Sequence, residues 1–213
     1  MMWIIAPQMY GGFGSFDMGL VRMDLSSISR ALEDAGYGAL PSGFLTLGGS
    51  GYGVRGRIIL GGGGYSMVER AIPYRDRVFS ISAGAGFFEA GYMLTKLGPL
   101  YIFPMLSVGG GGISLTISDT AGVSFQDALR GQMRQIHLEG GGLSAGARIT
   151  ALLFIGKLLL TVSAGYTYSP PFYLRSPYLE VSGAPKASIS GFHISIGLGG
   201  GYVQEYEGWT EEK

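Results

Sequence analysis

Strict alternation of apolar and small or polar residues dominates the C-terminal half of this chain. In residues 157–168, Leu158, Leu160, Val162, Ala164, Tyr166 and Tyr168 share one face, and Thr161, Ser163, Gly165 and Thr167 share the other. A period of two belongs to strands, because successive side chains point to opposite sides of a pleated backbone. Residues 188–202 repeat it, with Phe192, Ile194, Ile196 and Leu198 opposed to His193, Ser195, Gly197 and Gly199. Residues 143–151 do the same, setting Leu143, Ala145, Ala147 and Ile149 against Ser144, Gly146, Arg148 and Thr150. No apolar run approaches the roughly 18 residues of a membrane helix. The longest, through residues 151–160, is broken at Gly156 and Lys157. If such a chain meets a membrane, it does so as strands.

Five further candidates, residues 3–17, 44–54, 57–68, 78–95 and 100–118, bring the strand total to eight. The connections alternate in length. Residues 55–56, 96–99 and 156–157 make tight turns, whereas 18–43, 69–77, 119–135 and 169–187 are long. Both termini then fall on the short-turn side. The predicted fold is therefore all-β: an eight-stranded antiparallel up-and-down β-barrel, with short turns at one end and long loops bearing one or two short helices at the other. Residues 1–213 read as one domain with a tail at 207–213. In the 18–43 loop, Asp24 is placed to start a helix with Leu25, Ile28 and Leu32 on one face and Gly36 at its end. Ser124 and Asp127 form a capping-box pattern in the third long loop.

Composition narrows the functional classes. Only 14% of residues are charged, mean hydropathy is +0.29, and Gly supplies 39 positions, against roughly 15 at an average usage of about 7%. Fifteen basic and fifteen acidic residues balance to zero, giving no electrostatic footprint for nucleic acid. With no Cys and two His, neither a metal site nor any cofactor is expected. The first basic residue is Arg22, and the apolar start through Ala6 runs into Pro7 and Gln8, so no secretory signal is expected in this stretch. Trp3, Tyr65, Tyr92, Tyr101, Phe103, Tyr166, Tyr168, Tyr202 and Tyr206 fall towards strand ends, as interfacial girdles would.

In strand rhythm, loop alternation and Gly and aromatic usage, the chain resembles the small eight-stranded bacterial outer-membrane β-barrels over nearly its whole length. The resemblance implies a place in the outer membrane, lipid as a partner, and a structural, pore or small-ligand role. Bacterial members usually end in an aromatic closing strand; here Tyr202 and Tyr206 are followed by a charged tail from Glu207 to Lys213.

The site expectations follow from this geometry. The Gly61, Gly109, Gly140 and Gly199 runs open no helix and carry no Gly-Lys-Ser/Thr, so they are not phosphate cradles. A charge on the lipid face costs about 2–4 kcal/mol for Arg at the midplane, so Arg148 is expected to point inward and pair with Glu89. Ser144, Thr150, Thr161, Ser163, His193 and Ser195 are expected to face the lumen. Leu158, Leu160, Val162, Phe192, Ile194, Ile196 and Leu198 are expected to face the membrane. His193 and Ser195 resemble the His-x-Ser of outer-membrane lipid A deacylase barrels, for which Glu205 would be the nearest downstream acid. His137 beside Glu139 is a weak metal pattern. The overall expectation is a non-enzymatic membrane barrel, structural or with a pore or small apolar or amphiphilic ligand. A soluble lipocalin-like carrier and a self-associating barrel forming homo-oligomers or filaments are the alternatives, and a lipid hydrolase using His193 and Ser195 a remote one.

Overall fold

A computed structural model describes residues 8–36, 40–74, 77–119, 135–177 and 184–205. Their elements are β1 (Met9–Met23), α1 (Ser26–Asp34), β2 (Gly43–Gly56), β3 (Ile58–Met67), β4 (Arg70–Tyr74), β5 (Arg77–Tyr92), β6 (Thr95–Leu97), β7 (Leu100–Asp119), β8 (Gln135–Ile155), β9 (Leu158–Tyr168), β10 (Phe172–Tyr173), β11 (Lys186–Ala187) and β12 (Gly191–Glu205). Eight of them, β1, β2, β3, β5, β7, β8, β9 and β12, pair antiparallel in a closed ring, β12 returning to β1. Following cross-strand partners from Leu158 through Gly200, Gly14, Gly51, Gly62, Phe88, Val108 and Ala145 returns to β9 at Tyr168. That offset of ten residues along one strand (158 to 168) is the stagger that closes the barrel. With eight strands it sets a tilt of about 40°.

The short turns are made by Gly56, Gly98 and Gly156, each with φ between 61° and 67°, a left-handed conformation that costs glycine nothing. At the other end, α1 ends at Asp34; beyond it the Gly36 N–H donates to the Glu33 carbonyl at 2.9 Å, and Gly36, with φ of 84°, turns the chain away from the helix. The Asp24 carboxylate accepts the Ser26 N–H at 3.1 Å. Hydrogen bonds from the Ser26 hydroxyl, and then from that N–H, hold the Asp24 carboxyl below its ordinary range.

Several boundaries differ from expectation. β1 continues through residues 18–23, part of the expected 18–43 loop, so the first long connection begins at Asp24. Much of the expected 69–77 loop is β4, which extends the wall by pairing with β5. β8 is the longest element, at 21 residues, and β7 has 20, against about 9–11 needed to cross a membrane. Trp3, Tyr206, Ser124, Asp127 and the 207–213 tail lie outside the described residues.

The excess length has a physical cause, an inversion of polarity along these strands. On β7 the outward Leu106 and Val108 are exposed and apolar; beyond Gly110 and Gly112, the outward positions become Ser114, Thr116 and Ser118. Over that same stretch the inward positions are the buried Ile113 and Leu115. β8 passes from Leu143, 79% exposed, to Gly141, Glu139 and His137, with Leu138 buried inside. β5 passes from Phe88 to Ser82 and Ser80, with Ile81 and Phe79 inside. The outward face of these strands is thus apolar over its lower part and polar above, and the crossover marks where the apolar band ends.

Candidate functional site

Two apolar layers divide the lumen. At the short-turn end, Ile59, Met93, Phe103, Leu152 and Leu159 are fully buried among Met9, Phe13 and Tyr101. At the long-loop end, Ile81, Ile113 and Leu115 from the wall pack against Leu25, Ile28 and Leu32 of the α1 region and against Leu174 and Ile189 of the last loop. α1 therefore lies over the long-loop end of the lumen, with its apolar face packed into that layer. Between the two layers lies a polar belt.

The belt is organised around Arg148 on β8. Its Nη2 donates to Glu89 Oε2 on β5 at 2.5 Å and to the Tyr52 hydroxyl, and Tyr52 donates in turn to Glu89 Oε2 at 2.5 Å. The Arg148 and Glu89 side chains are 11% and 2% exposed. The guanidinium also lies 5.8 Å from the Tyr52 and Phe87 ring centroids, a cation–π distance. Glycines make room for these long side chains. A Cβ at Gly61 would sit 2.5 Å from Tyr52 Cδ1, and one at Gly165 would meet the Ala147 carbonyl at 2.6 Å and His193 Cε1 at 2.8 Å.

Asp17 anchors a second cluster. It accepts hydrogen bonds from Ser15 and Ser50 at 2.9 Å each, and from Thr161 at 3.5 Å. Thr150 and Ser163, both buried, join hydroxyls at 3.0 Å. A cavity of about 60 Å³ remains, lined in part by Asp17, Glu89, Ser107, Arg148, His193 and Ser195. That is room for a few waters, and Arg148 Nε, buried without a protein partner, needs one. Pockets for small organic ligands usually span about 300–1,000 Å³.

Of the lumen-facing candidates, Thr150, Thr161 and Ser163 are buried inside, Ser144 is half-buried on the same inward register, and His193 and Ser195 reach the cavity. Of the membrane-facing set, Leu158, Val162, Phe192, Ile194, Ile196 and Leu198 are exposed outside and Leu160 is half-exposed beside them. The girdle expectation needs correction. Tyr65, Tyr101 and Phe103 point inward, and Tyr101 and Phe103 belong to the core. Glycine lies on both faces of the wall, and Gly62, Gly64, Gly84, Gly86, Gly110 and Gly112 are on the outward register of β3, β5 and β7.

No three-member hydrolytic set assembles among the described residues. His193 and Ser195, two apart on one strand face, have Cα atoms about 6.5–7 Å apart and make no hydrogen bond to each other. Glu205 is ten residues further along β12 (195 to 205), ion-paired with Lys96 at the short-turn end. His137 has both ring nitrogens engaged, Nδ1 with Thr116 at 3.1 Å and Nε2 with Glu139 at 3.5 Å. Among the described residues no group of three or more His, Cys, Asp or Glu could hold a metal.

Ring closure, stagger and the outward apolar wall define a small transmembrane-type β-barrel. Comparison with solved structures gives the same class. Ail, the attachment invasion locus protein of Yersinia pestis, aligns with 93% of this chain and 100% of its own at a TM-score of 0.50 and 12% identity. The chain has the fold of small outer-membrane β-barrels. The outer membrane protein AlkL, solved in lipid bilayers, aligns more loosely, at a TM-score of 0.35 and 15% identity over 97% of this chain and 94% of its own. No family model and no curated protein matches the sequence.

Proposed function

We propose that this protein is a non-enzymatic outer-membrane barrel that works as a closed scaffold, embedded in lipid and presenting its long-loop end outward, without conducting through its lumen. The packing of the lumen carries this reading: among the described residues, apolar layers lie on both sides of the Arg148–Glu89 belt, and the cavity at the belt is about 60 Å³. An ion would have to shed its hydration shell twice to pass such layers. The outward wall supports the membrane setting and weighs against a soluble carrier. Phe192 is 67% exposed and Leu106 69%, where a carrier would place charge.

The test is electrical. Purified protein inserted into planar bilayers is expected to show no stepwise conductance, and neither is the Arg148→Leu variant, because both apolar layers remain. Ohmic steps from the wild type overturn the closed-scaffold reading, and steps gained only in Arg148→Leu make Arg148 a gate.

A further inference from the structure

Where the lipid-facing wall ends on β1, β9 and β12, the chain builds a groove of about 470 Å³ with an apolar floor of Met23, Leu25 and Leu40 beneath the start of α1. One wall is aromatic. Tyr166 and Phe192 are cross-strand partners, their rings edge to face with centroids 4.8 Å apart. Arg22 pairs in register with Phe192 on its other side, is exposed, and makes no ion pair among the described residues. Directly below this row, the next outward row is Leu20, Ile194 and Ala164, so the groove is continuous with the surface that faces acyl chains.

We infer that this groove binds the phosphate-bearing head of a membrane lipid, with Arg22 on the phosphate and the acyl chains along the Leu20–Ile194 wall. Four observations converge on that occupant. The volume suits a small ligand. The cation stands at the level where apolar outward residues give way to polar ones, which is where a lipid phosphate lies. A guanidinium matches phosphate oxygens with two parallel donors. Flanking aromatics shield that contact from water, while the apolar floor accepts the glycerol and the first methylenes. Among the described residues Asp24 is the one carboxylate lining the groove, and one of its oxygens is occupied by the Ser26 N–H. It opposes an anion and so limits affinity without filling the site.

The assignment rests on the membrane-barrel reading, and the experiment separates the two. Native mass spectrometry of the detergent-solubilised protein compares dioleoyl phosphatidic acid with dioleoylglycerol, which has the same chains and no phosphate. Wild type is expected to retain the phosphatidic acid about tenfold better, the scale of one charge-assisted contact. Arg22→Gln should lose that preference while keeping heat-modifiable migration, Arg22→Lys should keep part of it, and Arg175→Gln, outside the groove, should keep all of it. Asp24→Asn should strengthen it. Equal retention of the two lipids by wild type, or an unchanged preference in Arg22→Gln, overturns the site. Displacement of the lipid by excess inorganic phosphate makes it a free-phosphate site and also overturns the lipid assignment. Wild type that stays soluble without detergent defeats the membrane reading itself, whatever the groove binds.

Discussion

Arg148 and Glu89 meet across the lumen from β8 and β5, two strands that never touch because β7 lies between them. Each neutralises a charge that the other would otherwise leave buried. Removing one partner therefore costs more than the pair contributes. Arg148→Leu is expected to destabilise the barrel by about 3–5 kcal/mol, and Arg148→Leu combined with Glu89→Leu to recover most of the loss. Urea unfolding of the folded protein in vesicles, followed by circular dichroism, measures both. Equal losses for the single and double variants would contradict the pairing.

The glycines that flank the belt should not behave alike. A Cβ at Gly165 collides with a backbone carbonyl and with His193, whereas one at Gly86 meets only the Gly63 carbonyl at an ordinary 3.9 Å. Gly165→Ala is expected to cost about 1–3 kcal/mol, and Gly86→Ala to stay within about 0.5 kcal/mol of wild type. The same unfolding assay resolves the two.

Much of this architecture was legible in the sequence, and the misses on β5, β7 and β8 share one cause. Residues 18–23 of β1 were hidden for another, because outward Met18 and Leu20 and inward Val21 and Met23 are apolar together and show no alternation. The alternation in residues 157–168 reads correctly because β9 stays within the apolar band from end to end. Arg148 and Glu89 could be paired because a charge within a lipid-facing strand has few places to go. α1 was legible from its apolar face, Leu25, Ile28 and Leu32, and from Gly36 just past its end, but Asp24 is not its cap. The helix starts at Ser26, Leu25 holds the capping position without a side-chain bond, and Asp24 reaches only the Ser26 N–H from one residue further out. The ends of β5, β7 and β8 were not legible, because a reading that keeps one face apolar throughout cannot follow a strand whose faces exchange roles. Tyr101 and Phe103 are ambiguous in the sequence for a separate reason: the apolar layer at the short-turn end takes aromatics that an interfacial girdle would also take.

The exchange of faces makes substitutions on a single strand register diverge. Leu106→Lys places a charge in the lipid-facing band and is expected to cost about 2–4 kcal/mol, whereas Thr116→Lys, on the same face ten residues on (106 to 116), should cost about 0–1 kcal/mol. Unfolding in vesicles rather than micelles is the appropriate measurement, because the difference depends on a bilayer. Similar costs at the two positions would place both in the same medium.

Acid should loosen the start of α1. The Asp24 carboxyl titrates lower in the folded chain than unfolded, so its contribution is complete above the unfolded pKa and is lost as pH falls through the folded one. The group is largely exposed, so the effect is local. The Ser26 amide proton should shift with that titration by NMR, and Asp24→Asn should abolish the shift. A Ser26 amide insensitive to acid in the wild type would remove Asp24 from the helix start.

The central claim is a barrel that faces lipid outward across its band, keeps a closed interior, and turns its polar face outward above that band. Nitroxide labels placed singly at 192 through 198 on β12 and at 106, 108, 114, 116 and 118 on β7, in vesicles, test it most directly. Positions 194, 196, 198, 106 and 108 should be accessible to oxygen and not to a water-soluble nickel chelate, 192, at the edge of the band, to both, and 193, 195 and 197 to neither. Positions 114, 116 and 118 should be accessible to the chelate. Chelate access at 193 or 195 would show a water-filled lumen, and oxygen-only access at 114 to 118 would show no rise above the bilayer; either result would contradict the account.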